Sequence, residues 1–128
     1  MRVLLDTHIL IWWATSSERL SQKVLDLIEN PHHQILLSMA SVWEMQIKCQ
    51  AGKLRLGKPL SELVVHQQSR NALQILPIDL SHLYALQNLP NIHRDPFDRL
   101  MIAQAIVENL SFVSIDSLLD GYPIERIW

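Results

Sequence analysis

The sequence predicts a three-layer α/β/α domain built on a central, mainly parallel sheet of four to five strands. The first observation behind this is a set of short apolar runs without polar alternation, Val3-Leu4-Leu5 and Ile35-Leu36-Leu37 among them. Such runs suit strands buried on both faces, the usual state inside a parallel sheet. The second is that segments of helical length and pattern separate the runs, and alternating strands and helices imply crossover connections. The third is size: 128 residues, 48% of them hydrophobic and 19% charged, make one globular domain spanning residues 1–128.

Taken in order, Arg2 to Leu5 reads as the first strand, stopping abruptly at Asp6 and Thr7. A very apolar helix follows at 8–14, then a polar loop at 15–19. Ser21 is placed to cap a helix through Glu29, with Val24, Leu25 and Ile28 on one face, and Asn30-Pro31 ends it. The second strand, at 35–37, feeds a helix over 39–51 that Gly52 terminates. Residues 53–59 form a basic connector, 60–71 a helix and 74–76 a third strand. Ser81 is expected to cap a helix that stops before Leu89-Pro90. Asp95-Pro96 opens a helix to about Asn109, with proline suited to its first position. Residues 112–115 read as a fourth strand ending at Asp116, and the tail adds a short edge strand.

Composition excludes several functions. A formal charge of −2 gives no general attraction for nucleic acid, so any such site is local. Cys49 is the only cysteine, which rules out an intrachain disulfide and fits a reducing, cytoplasmic setting. No stretch has the apolar core of a signal peptide or the roughly 20 residues of a membrane span, so no membrane partner is expected. The histidines show no tight metal-ligating spacing, and His32-His33 is only an adjacent pair.

The acids carry the chemistry. Asp6 and Asp116 follow strands, and ligands bind at the carboxyl edge of a parallel sheet; a turn residue is the plainer alternative for each. Glu44 falls beside Ala40, Trp43 and Ile47, near the buried stripe of its helix, where a carboxylate needs a partner. A capping box from Ser41 to Glu44, or an exposed pair with Lys48, explains it structurally. Asp95 is a good helix cap. One cap needs one acid, so Asp98, three positions on, is the better functional candidate. Two carboxylates about 4 Å apart repel by about 4 kcal/mol at an effective dielectric of 20. A convergent set therefore takes up protons or binds a cation, and an all-oxygen set selects Mg²⁺ or Mn²⁺ over zinc.

With these residues in view, the chain resembles the PIN-domain ribonucleases. Leu4-Leu5-Asp6-Thr7, Glu44 after the second strand, Asp98-Arg-Leu-Met-Ile-Ala-Gln-Ala105 and Ser114-Ile-Asp116 occur in that family's order. The length, with Asp6-Thr7-His8 running to Trp12 and His93-Arg-Asp-Pro-Phe-Asp98, is similar to the VapC-type toxins of bacterial toxin–antitoxin pairs. The resemblance covers essentially the whole chain. It implies a PIN-like fold, Mg²⁺- or Mn²⁺-dependent endoribonuclease activity, a cognate antitoxin and usually a homodimer. It carries the catalytic, metal-binding role onto Asp6, Glu44, Asp98 and Asp116, with Thr7, Ser114 and Asp95 in support. The family more often has threonine where Ser114 stands. RNA contacts are expected from Lys48, Lys53, Arg55 and Lys58, with Arg94 and Arg99 nearer the acids. One exposed tryptophan of the Trp12-Trp13 pair is expected at a partner surface. Two rivals remain at this level. A haloacid-dehalogenase-like enzyme wants a second aspartate where His8 stands, and a non-catalytic PIN-fold module binds only a protein partner.

Overall fold

The computed structural model describes residues 1–128. Five strands form one sheet, β1 (Arg2–Leu5), β2 (Gln34–Ser38), β3 (Gln74–Leu76), β4 (Ser111–Val113) and β5 (Arg126–Ile127). Their order is β3-β2-β1-β4-β5 and every pairing is parallel. β1 is central, with Leu4 opposite Leu36 on one side and Phe112 on the other. Val3, Leu4 and Leu5 have no exposed surface. The unbroken apolar run is thus explained by burial on both faces.

Six helices complete the layers: α1 (Thr7–Thr15), α2 (Gln22–Glu29), α3 (Met39–Gln50), α4 (Leu60–Asn71), α5 (Leu80–Ala85) and α6 (Pro96–Val107). Val3 and Leu5 point into a core shared with Ile9, Val24, Met45 and Leu63, from α1, α2, α3 and α4. Leu4 points the other way, into a core with Met101, Ile102 and Ala105 of α6. The alternation of β1 thereby decides which helices sit on which face. No helix is long and apolar enough to cross a membrane.

This topology selects one place for a site. The chain steps outward from β1 to β2 to β3 and then returns to add β4 and β5 on the other flank. The order reverses between β1 and β4, and open α/β sheets bind ligands beyond the strand ends at such a reversal. Asp6 follows β1 there, its backbone N–H donating to Val113 O at 2.9 Å.

Several boundaries differ from the sequence reading. β4 ends at Val113, and Ile115, apolar enough to extend the pattern, is 49% exposed. Asp116 therefore caps a 3₁₀ turn over Ser117–Gly121, accepting from the Leu118 N–H at 3.0 Å, instead of ending a strand. Asp79, not Ser81, precedes α5, and its N–H donates to His82 Nδ1 at 3.0 Å. The helix at 80 tightens to a 3₁₀ turn at Leu86–Asn88. Ser38 caps α3 through the Ala40 N–H at 3.0 Å, so Ser41 lies inside the helix and no capping box joins it to Glu44. Ser21 and Asp95 do cap their helices, and Gly52 adopts φ +71° after α3. Trp12 and Trp13 are both half-buried.

Candidate active site

Asp6 sits half-buried at the β1–β4 reversal. Its Oδ2 accepts a 2.7 Å hydrogen bond from the fully buried Ser114 hydroxyl. The same Ser114 Oγ accepts the Asp116 N–H at 3.1 Å, so one hydroxyl ties the turn after β4 to the acid after β1. Burial raises the Asp6 carboxyl above its ordinary range, against the lowering effect of Ser114.

Glu44 comes to this edge from α3 and is 5% exposed. Thr7 donates to its Oε1 at 2.7 Å and also lies 2.9 Å from the Ser41 hydroxyl. Lys48, one turn along, donates to Oε2 at 2.9 Å. That hydrogen bond is the main reason the Lys48 ammonium is pushed above its usual range. The i,i+4 pair read from the sequence thus exists, but its acid is buried, so it fixes a charge in place instead of decorating a solvated face.

Asp98 lies in the first turn of α6, whose cap is Asp95; the Asp95 Oδ1 accepts the Phe97 N–H at 2.8 Å and the Asp98 N–H at 3.3 Å. The Asp98 carboxyl is raised to about 7, chiefly by burial and then by the charges of Asp6 and Asp95. Helix N-termini favour acids, so a rise this large marks an acid desolvated by burial and, second, crowded by others.

The residue that sequence reasoning missed is His93. Its Nε2 lies 3.2 Å from Asp98 Oδ2 and 3.1 Å from Asp116 Oδ2. Its Nδ1 accepts the Asp95 N–H at 3.1 Å, which leaves the neutral ring's proton on Nε2 to donate between the two carboxylates. The only signal in the sequence was its place in the His93-Arg-Asp-Pro-Phe-Asp98 segment.

The structure therefore links Asp6, Asp116 and Asp98 through Ser114 and His93, and links Glu44 to the segment after Asp6 through Thr7. The basic residues do not form one patch. Lys48 is spent on Glu44. Arg99 is half-buried, and its Nη1 donates to Pro90 O at 2.9 Å, lashing the loop before α6. Arg94, Lys53, Arg55 and Lys58 are exposed. Lys53 shares a hollow with Lys48, whereas Lys58 lines a different one beside Trp13 and Arg70.

A second group of possible ligands, Asp79, His82 and Glu108, has its atoms within 4.8 Å of one another. Ten residues of helix separate Glu108 from Asp98, about 15 Å. His82 Nδ1 accepts a backbone N–H, so its proton faces Glu108 Oε1 at 3.0 Å, and the ring offers a metal no lone pair. It joins α5 to α6. The acids at the sheet edge offer only oxygen donors, and burial first, then neighbouring charge, raises Asp6 and Asp98.

A carboxylate cluster beyond β1 and β4 of a five-stranded parallel sheet defines a known class. The family model described as PIN domain matches residues 3–123, and the chain belongs to that family. It is 30% identical over 121 residues to Ribonuclease VapC22 of Mycobacterium tuberculosis, covering 94% of this chain and 91% of that protein. The fold is similar to that in the crystal structure of VapBC2 from Rickettsia felis bound to a promoter DNA fragment. There the TM-score is 0.76 at 18% identity, covering 99% of this chain and 98% of that one. FitAcB from Neisseria gonorrhoeae gives a TM-score of 0.67 at 15% identity, covering 100% and 97%.

Proposed function

We propose that the chain is a metal-dependent endoribonuclease, the toxin of a toxin–antitoxin pair, and that it hydrolyses an RNA phosphodiester with water. What supports this reading is that, in a PIN-family chain, Asp6, Asp98 and Asp116 are joined through Ser114 and His93 at the β1–β4 reversal and Glu44 is tied in through Thr7. The named function of the relative from Mycobacterium tuberculosis supports it.

Asp6, Glu44, Asp98 and Asp116 would hold Mg²⁺ or Mn²⁺, which when bound supplies Lewis-acid activation of phosphate and water. The remaining work falls to the chain's own residues. Ser114 orients the Asp6 carboxylate and Asp116 together. Thr7 and Lys48 fix both oxygens of Glu44. His93 holds Asp98 and Asp116 at a set separation, and the Asp95 N–H holds His93. Preorganised donors and acceptors of this kind need little rearrangement when charge develops on the phosphate.

A cognate antitoxin is the proposed partner, because the similar structures include a toxin–antitoxin complex from Klebsiella pneumoniae. A homodimer acting in the cytoplasm completes the reading. The test is to incubate the purified chain with tRNA, rRNA and mRNA in Mg²⁺, Mn²⁺ or EDTA. Endonucleolytic products that need the metal support the proposal. Intact RNA under every condition, from a folded chain freed of any partner, leaves the binding-module reading in its place.

A further inference from the structure

Beside Lys48, a hollow of about 340 Å³ opens between α1 and the end of α3. Its walls include His8 and Trp12, Arg19 from the turn after α1, and Lys48 and Lys53. That volume reaches the lower end of the roughly 300–1,000 Å³ typical of ligand sites. The hollow adjoins the acidic centre. Lys48 lines it while donating to Glu44, and His8 follows Asp6 and Thr7 directly.

Its charge runs against that of the molecule. The chain carries 13 acids against 11 Lys and Arg, yet no acid lines this hollow. Lys48 is paired, but neither Arg19 nor Lys53 has a carboxylate within ion-pairing distance. Arg19 is nonetheless held in place. Its guanidinium carbon lies 4.4 Å from the centre of the Trp12 ring, a cation–π contact. Trp12 is in turn braced by Trp128 edge-on at 6.3 Å and by His8 at 5.9 Å. A planar guanidinium fixed in this way is ready to receive phosphate.

We propose that this hollow is a substrate subsite, binding the nucleotide beside the scissile one on single-stranded RNA. The phosphate is taken by Arg19 and Lys53, and the base lies against the His8–Trp12 wall. Single strands are specified because an aromatic wall needs an unstacked base to receive. The subsite deepens the nuclease reading and rests on it.

The test measures fluorescence anisotropy of a labelled single-stranded RNA of about twelve nucleotides, in EDTA and across a salt series. Wild type is compared with the double variant Arg19→Gln, Lys53→Gln. Both side chains are exposed, so the thermal midpoint should change only by the small loss of the Arg19–Trp12 contact, and calorimetric Mn²⁺ binding should not change. RNA affinity should fall at least tenfold at low salt. The slope of log K against log salt should shrink by about 0.7, the contribution of the one phosphate on a single strand that both side chains take. Unchanged affinity and slope, with a wild type that still cleaves RNA in Mg²⁺, would overturn the subsite and leave the nuclease reading standing. Unchanged RNA binding with weakened binding of a co-purified partner protein would overturn it in favour of a protein contact. A wild type that neither binds nor cleaves any RNA would remove the nuclease reading and the subsite together.

Discussion

Asp98 titrates at about 7 instead of 3.8, and this makes the protein's stability depend on pH. Between those two values the folded state binds a proton that the unfolded state has already lost. The stability held below about pH 4 is therefore lost as pH rises through 7, and the loss is complete above it. Asp98→Asn removes the effect. In EDTA its melting temperature should exceed that of wild type at pH 8, with the gap closing towards pH 4. A variant less stable than wild type at pH 8 would mean that the His93 contact matters more than the repulsion. Thr7→Val tests the other end of the cluster. It strips a hydrogen bond from the buried Glu44 and should cost about 1–3 kcal/mol in urea unfolding; a loss under 0.5 kcal/mol would show that Lys48 alone suffices. The sequence singled out Asp6 and Asp116 because each follows an apolar run, Glu44 because it lies near a buried stripe, and Asp98 because the helix cap needs only Asp95. His93 was not, because its role depends on which ring nitrogen the Asp95 N–H occupies, and that is set by the loop's folding against Asp116.

Among the elements, α4 and β3 lie where periodicity and length place them. The end of β4 was misplaced because Ile115 is apolar but turns outward once Ser114 is drawn to Asp6. Apolar character cannot report that competition between sheet pairing and a side-chain hydrogen bond. The start of α5 was misplaced for a similar reason. Both Asp79 and Ser81 are favoured caps, and the His82 ring, buried against α6, decides between them. The end of α4 offers a test of backbone reasoning, since Ala72 adopts φ +53°. A left-handed residue with a Cβ costs about 1–2 kcal/mol, and glycine returns part of this through its freer unfolded chain. Ala72→Gly should stabilise the protein by about 0.5–1 kcal/mol, measured by urea unfolding. A destabilised variant would contradict the assigned cap.

At the scale of the whole molecule, the reversal of strand order brings together acids that lie 110 residues apart in sequence, from Asp6 to Asp116. The fold class was legible because the strands repeat one apolar signature. The reversal itself was not, since local pattern says nothing about which flank a strand joins. A divalent cation that binds only the folded cluster should raise stability by about 2.7 kcal/mol at a hundred times its dissociation constant. Thermal melting in Mn²⁺ against EDTA checks this; equal midpoints would count against a metal centre. The most direct test of the account is RNA cleavage by Asp6→Asn in Mg²⁺, beside wild type. The substitution keeps the size of the side chain and an acceptor for Ser114 but removes one charge at the reversal. The account predicts a variant with the wild-type fold whose cleavage is slower by several orders of magnitude, because the metal supplies both nucleophile and charge stabilisation. Cleavage within about tenfold of wild type, less than 1.4 kcal/mol of barrier, would make Asp6 a turn residue and contradict the metal centre.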